Sequence, residues 1–313
     1  MKHEMDQPIR GIIPPMVTPL AAPDQLDEPA LRRLVDHLIA GGVHGLFLLG
    51  TTGEGPSLSS ALQRQVIAAT ARHVDRRVPI LVGVTSASLA DSLALAQFAA
   101  DAGCEAIVAA PPYYFPIDQT ALRDYYLELA RSAALPTVLY NMPAVTSLTI
   151  DPETLEQLID ESAIVALKDS SGDMDYFQRA RQATSRRVDF PLLIGPEHLL
   201  AESLARGGNG GVAGGANVFP EFFTEVYDAH LCGDQNRLAA AQRRVERLQA
   251  IYAVGPVSIP GVIARTKAAL AARGLCQAVT APPIAPATSA ERQRVTAIIE
   301  ELAGESARTT ASR

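Results

Sequence analysis

Ala163-Ile-Val-Ala-Leu-Lys-Asp-Ser-Ser-Gly-Asp173 is a short apolar run, rich in β-branched residues at its start, that gives way at once to a polar cluster. A run of this length reads as a buried strand of a parallel sheet, and the Ser/Gly/Asp segment behind it as a loop leading into a helix. Lys168 then stands at the carboxyl end of that strand. A lysine so placed has a shielded stem and a pKa lowered by desolvation, and its amine can attack a carbonyl to form a Schiff base. The plainer alternative is a strand-end lysine that snorkels to solvent.

Two further runs end in the same way. Leu46-Phe-Leu-Leu49 leads into Gly50-Thr-Thr-Gly-Glu54, a small-residue loop whose backbone N–H groups and hydroxyls suit an anion such as a carboxylate. Thr137-Val-Leu-Tyr140 ends in Tyr140-Asn-Met-Pro143. Working outward, strand-like runs fall near 12–17, 44–49, 78–84, 105–110, 136–140, 163–168, 191–194 and 209–213. Segments with helical spacing, such as 30–39 and 88–99, lie between them. Gly41-Gly42, Gly103 and Asp151-Pro152 punctuate the helix ends. Eight strands alternating with helices predict an α/β fold, a closed (β/α)8 TIM barrel. A doubly wound open sheet fits less well, because no dinucleotide fingerprint follows the first strand. The fragment Gly208-Asn-Gly-Gly-Val-Ala213 matches such a pattern loosely, but a helix precedes it, and close backbone approach at the barrel mouth is the better reason for its glycines.

Composition sets the class. With 48% hydrophobic and 19% charged residues in 313, the chain can build a large core. A net charge of −7 argues against a nucleic-acid partner without excluding an anionic small substrate. No tract reaches transmembrane length, and the opening Met1–Arg10 lacks the apolar centre of a signal peptide. Cys104, Cys232 and Cys276 are widely separated and odd in number, which predicts small buried thiols in a reducing cytoplasm. The six histidines show no metal-ligand spacing, so no metal is expected.

The segments GTTGE, YNMP and ALKDSSGD, in this order and at these separations, closely resemble the dihydrodipicolinate synthase and N-acetylneuraminate lyase family of Schiff-base aldolases. The resemblance covers nearly the whole chain, from Gly11-Ile-Ile-Pro-Pro-Met-Val-Thr-Pro19 to the helices after residue 230. It implies a barrel over 1–232 that carries the site and a carboxy-terminal three-helix extension over 233–303, followed by a disordered tail, 304–313. The helical segments are expected at 234–253, 256–273 and 289–303. A homotetramer built from tight dimers is expected from the same resemblance.

The resemblance makes Lys168 the Schiff-base nucleophile, turning the ketone of a 2-oxo acid into a protonated imine that acts as an electron sink without a cofactor. Tyr140, one βα unit earlier, would move protons at the carbinolamine and at the aldehyde oxygen, its alternative being a hydroxyl that anchors a loop. Thr51 becomes a relay hydroxyl, and Thr52 with Gly50, Gly53 and Val212 contributes to the substrate site, Thr52 and the loop amides clamping its carboxylate. Glu54 reads as a loop organiser that bonds backbone N–H groups, and Asn217 as a structural residue. In Pro111-Pro-Tyr-Tyr-Phe-Pro116, Tyr114 is expected to cross a dimer interface and complete a relay with Thr51 and Tyr140 of the neighbouring subunit. Packing alone accounts for Tyr113 and Phe115.

Two departures from the family pattern matter. Val145 stands where synthases of dihydrodipicolinate carry an arginine for the carboxylate of aspartate semialdehyde, and valine makes no charge-assisted bond. Leu62 stands where the pattern carries Glu or Gln, with Gln63 one place late. The leading expectation is therefore a pyruvate-dependent class I aldolase or lyase that interconverts a 2-oxo-4-hydroxy acid with pyruvate and an aldehyde. The alternatives are a 2-oxo-3-deoxy sugar acid dehydratase using the same imine, a 4-hydroxy-tetrahydrodipicolinate synthase, and a non-catalytic 2-oxo acid-binding regulator.

Overall fold

The computed structural model describes residues 9–311, with side chains as far as residue 305. Met1–Pro8, most of the opening stretch read above, and the last two residues lie outside the described residues. Eight parallel strands form one sheet: β1 Gly11–Ile12, β2 Leu46–Leu48, β3 Ile80–Gly83, β4 Ala106–Ala109, β5 Thr137–Asn141, β6 Ile164–Asp169, β7 Leu192–Ile194 and β8 Gly210–Gly211. Each pairs with its sequence neighbour from β2 to β8, and β8 pairs with β1. The barrel closes beyond β1, where Pro15 bridges to Phe47 and Met16 N donates to the Phe47 carbonyl at 2.8 Å. The first strand is shorter than expected because Pro14 and Pro15 have no N–H to give to a ladder.

The helices after β1 to β7 are α1 Glu28–Ala40, α2 Ser60–Val74, α3 Leu89–Asp101, α4 Gln119–Ser132, α5 Pro152–Leu158, α6 Met174–Ala183 and α7 Leu200–Ala205. Their starts are set by short polar side chains that satisfy free helix N–H groups: Asp27 for α1, Ser59 for α2, Ser88 for α3, Asp118 for α4 and Asp173 for α6. A hairpin, Leu20–Ala22 with Gln25–Leu26, precedes α1 and was not foreseen. Helices α8 Pro220–Leu231, α9 Gln235–Leu248, α10 Ile259–Ala272 and α11 Ser289–Ala311 complete the chain.

Strand alternation divides the apolar residues between two cores. One set, including Leu48, Ile107, Leu139, Leu167 and Ile194, packs outward against the helices. The other, including Phe47, Val108, Val138, Ala166, Leu193 and Val212, fills the barrel interior. Strand ends therefore decide which polar side chains face the mouth.

Helix α11 runs past residue 304 to Ala311, and Arg247 on α9 pairs with its Glu301 and Glu305. Two expectations need correction. Cys232 is exposed, because it closes α8 and points outward, whereas Cys104 and Cys276 are buried. Gly210 serves strand closure at β1, not the barrel mouth, since a Cβ there would lie 2.0 Å from the Gly11 carbonyl oxygen.

Candidate active site

The loop after β2 is held under backbone strain. Leu49 and Glu54 flank Gly50-Thr-Thr-Gly53 with left-handed φ angles of 58° each, a conformation that non-glycine residues keep only where their surroundings enforce it. Gly55 supplies part of the enforcement by packing on the loop's own start, for its Cβ would meet the Leu49 oxygen at 2.0 Å. Glu54 supplies more: its buried carboxylate pairs with Lys267 of α10 and accepts Ala281 N at 2.7 Å. Gln63 donates Nε2 to the Gly55 carbonyl at 2.8 Å, which gives the displaced glutamine a function as a tie across the turn. Glu54 is thus the loop organiser expected, through one backbone N–H and an unforeseen lysine. The loop presents Thr51 inward.

Strands β5 and β6 present the next two groups. Their register pairs Thr137 with Ile164 but Val138 with Ala166, so Val165 is an extra residue, a bulge on β6. Ile164 packs outward, and without the bulge strict alternation would turn Lys168 outward as well. With it, Lys168 pairs in register with Tyr140 and both face the interior. The Lys168 Nζ lies 3.8 Å from the centroid of the Tyr140 ring and 5.0 Å from that of Phe47. The Tyr140 hydroxyl lies 3.4 Å from Thr51 Oγ1.

Electrostatics follow from this burial. Desolvation lowers the Lys168 pKa, with Tyr140 opposing it, so the neutral, nucleophilic amine is favoured relative to an exposed lysine. Burial alone would raise the Tyr140 phenol, but the Lys168 charge and hydrogen bonds to Thr51, Ser170 and Lys168 outweigh it and bring the phenol down. The two groups share one adjustable proton environment at the end of the barrel.

Behind them, Asn141 Nδ2 donates to Asp169 Oδ1 at 2.8 Å, and Asn141 Oδ1 accepts Ile150 N. Asp169 also accepts Ser171 N and the Ser171 hydroxyl. These bonds fix the loops after β5 and β6 relative to each other. Asn217, expected to be structural, joins the end of β8 to the start of the chain: it accepts Val17 N and donates to Pro15 O and Gly214 O.

The remaining expected residues divide. Gly50, Thr51 and Tyr140 line a cavity of about 480 Å³ together with Phe47, Tyr113 and Val145. Gly53 is buried in the loop, and its carbonyl accepts the Thr18 hydroxyl at 2.7 Å. Val212 belongs to the interior layer with Tyr140 and Phe47. Thr52 lies on the β8 side of the loop, where a Cβ on Gly214 would sit 3.6 Å from its Oγ1. Tyr114 does not join this constellation within the chain: it is 73% exposed and makes an edge-to-face contact with Phe115. Tyr113, read as packing, lines the cavity instead.

One group went unread in the sequence. Glu197 is buried beside Gly214 and Gly215, accepting Gly215 N at 2.5 Å and the Tyr252 hydroxyl at 3.0 Å. Desolvation pushes its carboxyl up to about 7 against the pull of these bonds. Gly195-Pro-Glu197 looks like an exposed turn, and only the folding of β8 and Tyr252 over it creates the burial.

Comparisons with known proteins agree with this architecture. The sequence profile of the Dihydrodipicolinate synthetase family matches residues 8–302. The 4-hydroxy-tetrahydrodipicolinate synthase of Methanopyrus kandleri is 39% identical over 73% of this chain and 76% of its own length. A probable 2-dehydro-3-deoxy-D-pentonate aldolase of Escherichia coli is 36% identical over 78% of this chain and 82% of its own. Among solved structures, dihydrodipicolinate synthase from Bacteroides thetaiotaomicron superposes with a TM-score of 0.91 at 41% identity, covering 95% of this chain and 100% of that one. The Escherichia coli prophage protein YagE, solved in complex with pyruvate, gives 0.89 at 29% identity, covering 94% and 98%.

Proposed function

The chain belongs to the dihydrodipicolinate synthetase family of Schiff-base lyases, and on that premise we propose that it is a pyruvate-dependent class I aldolase acting through Lys168. The observation that carries the proposal is the buried Lys168 amine over the Tyr140 ring, with the Tyr140 hydroxyl in reach of Thr51. Among the alternatives, the dihydrodipicolinate synthase reading is disfavoured by Val145, which lies in the cavity lining where an arginine would anchor a second carboxylate.

In the cleavage direction, the neutral Lys168 amine adds to the ketone of a 2-oxo-4-hydroxy acid, and loss of one water leaves the iminium. The Tyr140 phenolate, favoured by the neighbouring lysine charge, takes the proton of the 4-hydroxyl. The C3–C4 bond breaks, its electron pair moves to the iminium to give the enamine, and the aldehyde leaves. A proton returned through Tyr140 and Thr51 reaches C3, and one water hydrolyses the imine to pyruvate and free amine. Thr52 with the loop amides of Gly53 and Gly50 binds the carboxylate, and Val212 closes the interior side.

The same reading places the protein in the cytoplasm as a homotetramer of tight dimers. Among the described residues no helix is long and apolar enough to cross a membrane. Tyr114 and Phe115 are a projecting aromatic pair of the kind an interface covers, and Tyr114 would enter the relay of the partner. Product analysis tests the reaction class. Release of pyruvate with a stoichiometric aldehyde supports the aldolase, whereas formation of a dioxo acid without pyruvate would replace it with the dehydratase.

A further inference from the structure

The cavity continues from the site toward the carboxy-terminal helices, and its chemistry changes on the way. Its inner end is floored by Phe47 and Tyr140, the two rings beside Lys168. Its outer part is walled by Val145, Ile259, Pro260, Ile263, Pro283 and Ile284. Among the described residues, no lysine, arginine or histidine lines it. Glu54, its one charged lining residue, is already committed to Lys267 and Ala281 N. The Thr146 hydroxyl proton is likewise engaged within its own turn, shared between the Met142 and Leu148 carbonyls. Beyond the Thr51 and Tyr140 hydroxyls at the inner end, which the reaction itself uses, the described lining residues offer the hydroxyls of Ser57, Thr85 and Tyr113, and Thr85 already accepts Ala110 N.

We infer that the aldehyde partner is uncharged and carries an aliphatic or aromatic group beyond its carbonyl. This rests on the Lys168 aldolase reading. An anionic aldehyde would lose its hydration in the outer cavity with no cation to replace it, and a polyhydroxylated one would leave most of its hydroxyls without partners. An apolar group is instead transferred from water onto matching side chains, which discriminates in its favour. Val145 is central to this selection, because it is the wall residue at the place where an arginine would convert the outer cavity into a carboxylate site.

The test separates the inference from the reading beneath it. Exchange of the pyruvate methyl protons with deuterated water, followed by NMR, needs imine and enamine formation but no aldehyde. In parallel, condensation of pyruvate with benzaldehyde, 2-methylpropanal, glyceraldehyde and succinic semialdehyde is measured as kcat/KM. We expect exchange, with benzaldehyde or 2-methylpropanal favoured over both others by about 10²-fold. Val145→Arg is expected to shift the succinic semialdehyde to benzaldehyde ratio by at least about tenfold toward the anion. Exchange with a preference for glyceraldehyde or succinic semialdehyde would overturn the inference and leave the aldolase reading standing. Absence of exchange in folded protein would overturn that reading and the inference with it.

Discussion

Glu54 and Lys267 pair their charges where water is excluded, each side chain having 0% of its surface exposed. The pair joins the loop that presents Thr51 to helix α10, so the carboxy-terminal helices bear directly on the geometry of the site. Lys267 also donates to the Val279 carbonyl at 2.6 Å, and burial lowers its pKa while Glu54 opposes that fall. Removing one partner strands the other's charge in a low-dielectric interior.

Glu54→Gln or Lys267→Met is therefore expected to cost about 3–5 kcal/mol, whereas the double replacement recovers a large part of the loss. Guanidinium unfolding of the three variants measures it. Single-variant losses below about 1 kcal/mol, the range of an exposed pair, would contradict the burial.

Tyr140→Phe keeps the ring over Lys168 and removes the hydroxyl that meets Thr51. Turnover is expected to fall by about 10²- to 10⁴-fold, while the pyruvyl adduct still accumulates at equilibrium. Steady-state kinetics alongside adduct mass measure the two separately. Unchanged kcat would remove Tyr140 from proton transfer.

The Glu197 carboxyl has an ordinary value of 4.5 and is raised to about 7 by burial in the folded protein. Between those values the folded state holds a proton that the unfolded chain releases. The contribution to stability is therefore complete below about pH 4.5 and is lost as pH rises through about 7, amounting to about 3 kcal/mol. Glu197→Gln is expected to flatten that part of the stability profile, read from denaturation midpoints between pH 5 and 8. The same slope in the variant would assign it to other groups.

The strands, the helix ends at Gly41-Gly42, Gly103 and Asp151-Pro152 and the three polar strand ends were legible because each rests on contiguous residues: an apolar run, a Gly after a helix or an Asp-Pro before one, a Gly-Thr-Thr-Gly loop. Thr51, Tyr140 and Lys168 were brought to one barrel mouth by the rule that barrel strands bring their carboxyl ends together, and their expected roles came from the family resemblance. What escaped depends on relations that contiguous sequence does not carry. The bulge at Val165, which turns Lys168 inward, is a property of the pairing between β5 and β6. The Glu54–Lys267 pair and the burial of Glu197 by Tyr252 join segments far apart in the chain. Tyr113 and Tyr114 are adjacent and chemically alike, and only the backbone path after β4 sends the first into the cavity and the second outward.

The chain has three lysines, Lys2, Lys168 and Lys267, which makes one measurement decisive. Incubation with pyruvate and borohydride, followed by intact mass and peptide mapping, should find a single reduced pyruvyl adduct on Lys168, and none in Lys168→Ala. An adduct on Lys2 or Lys267 instead, or no adduct on folded protein, would contradict the Schiff-base role of Lys168.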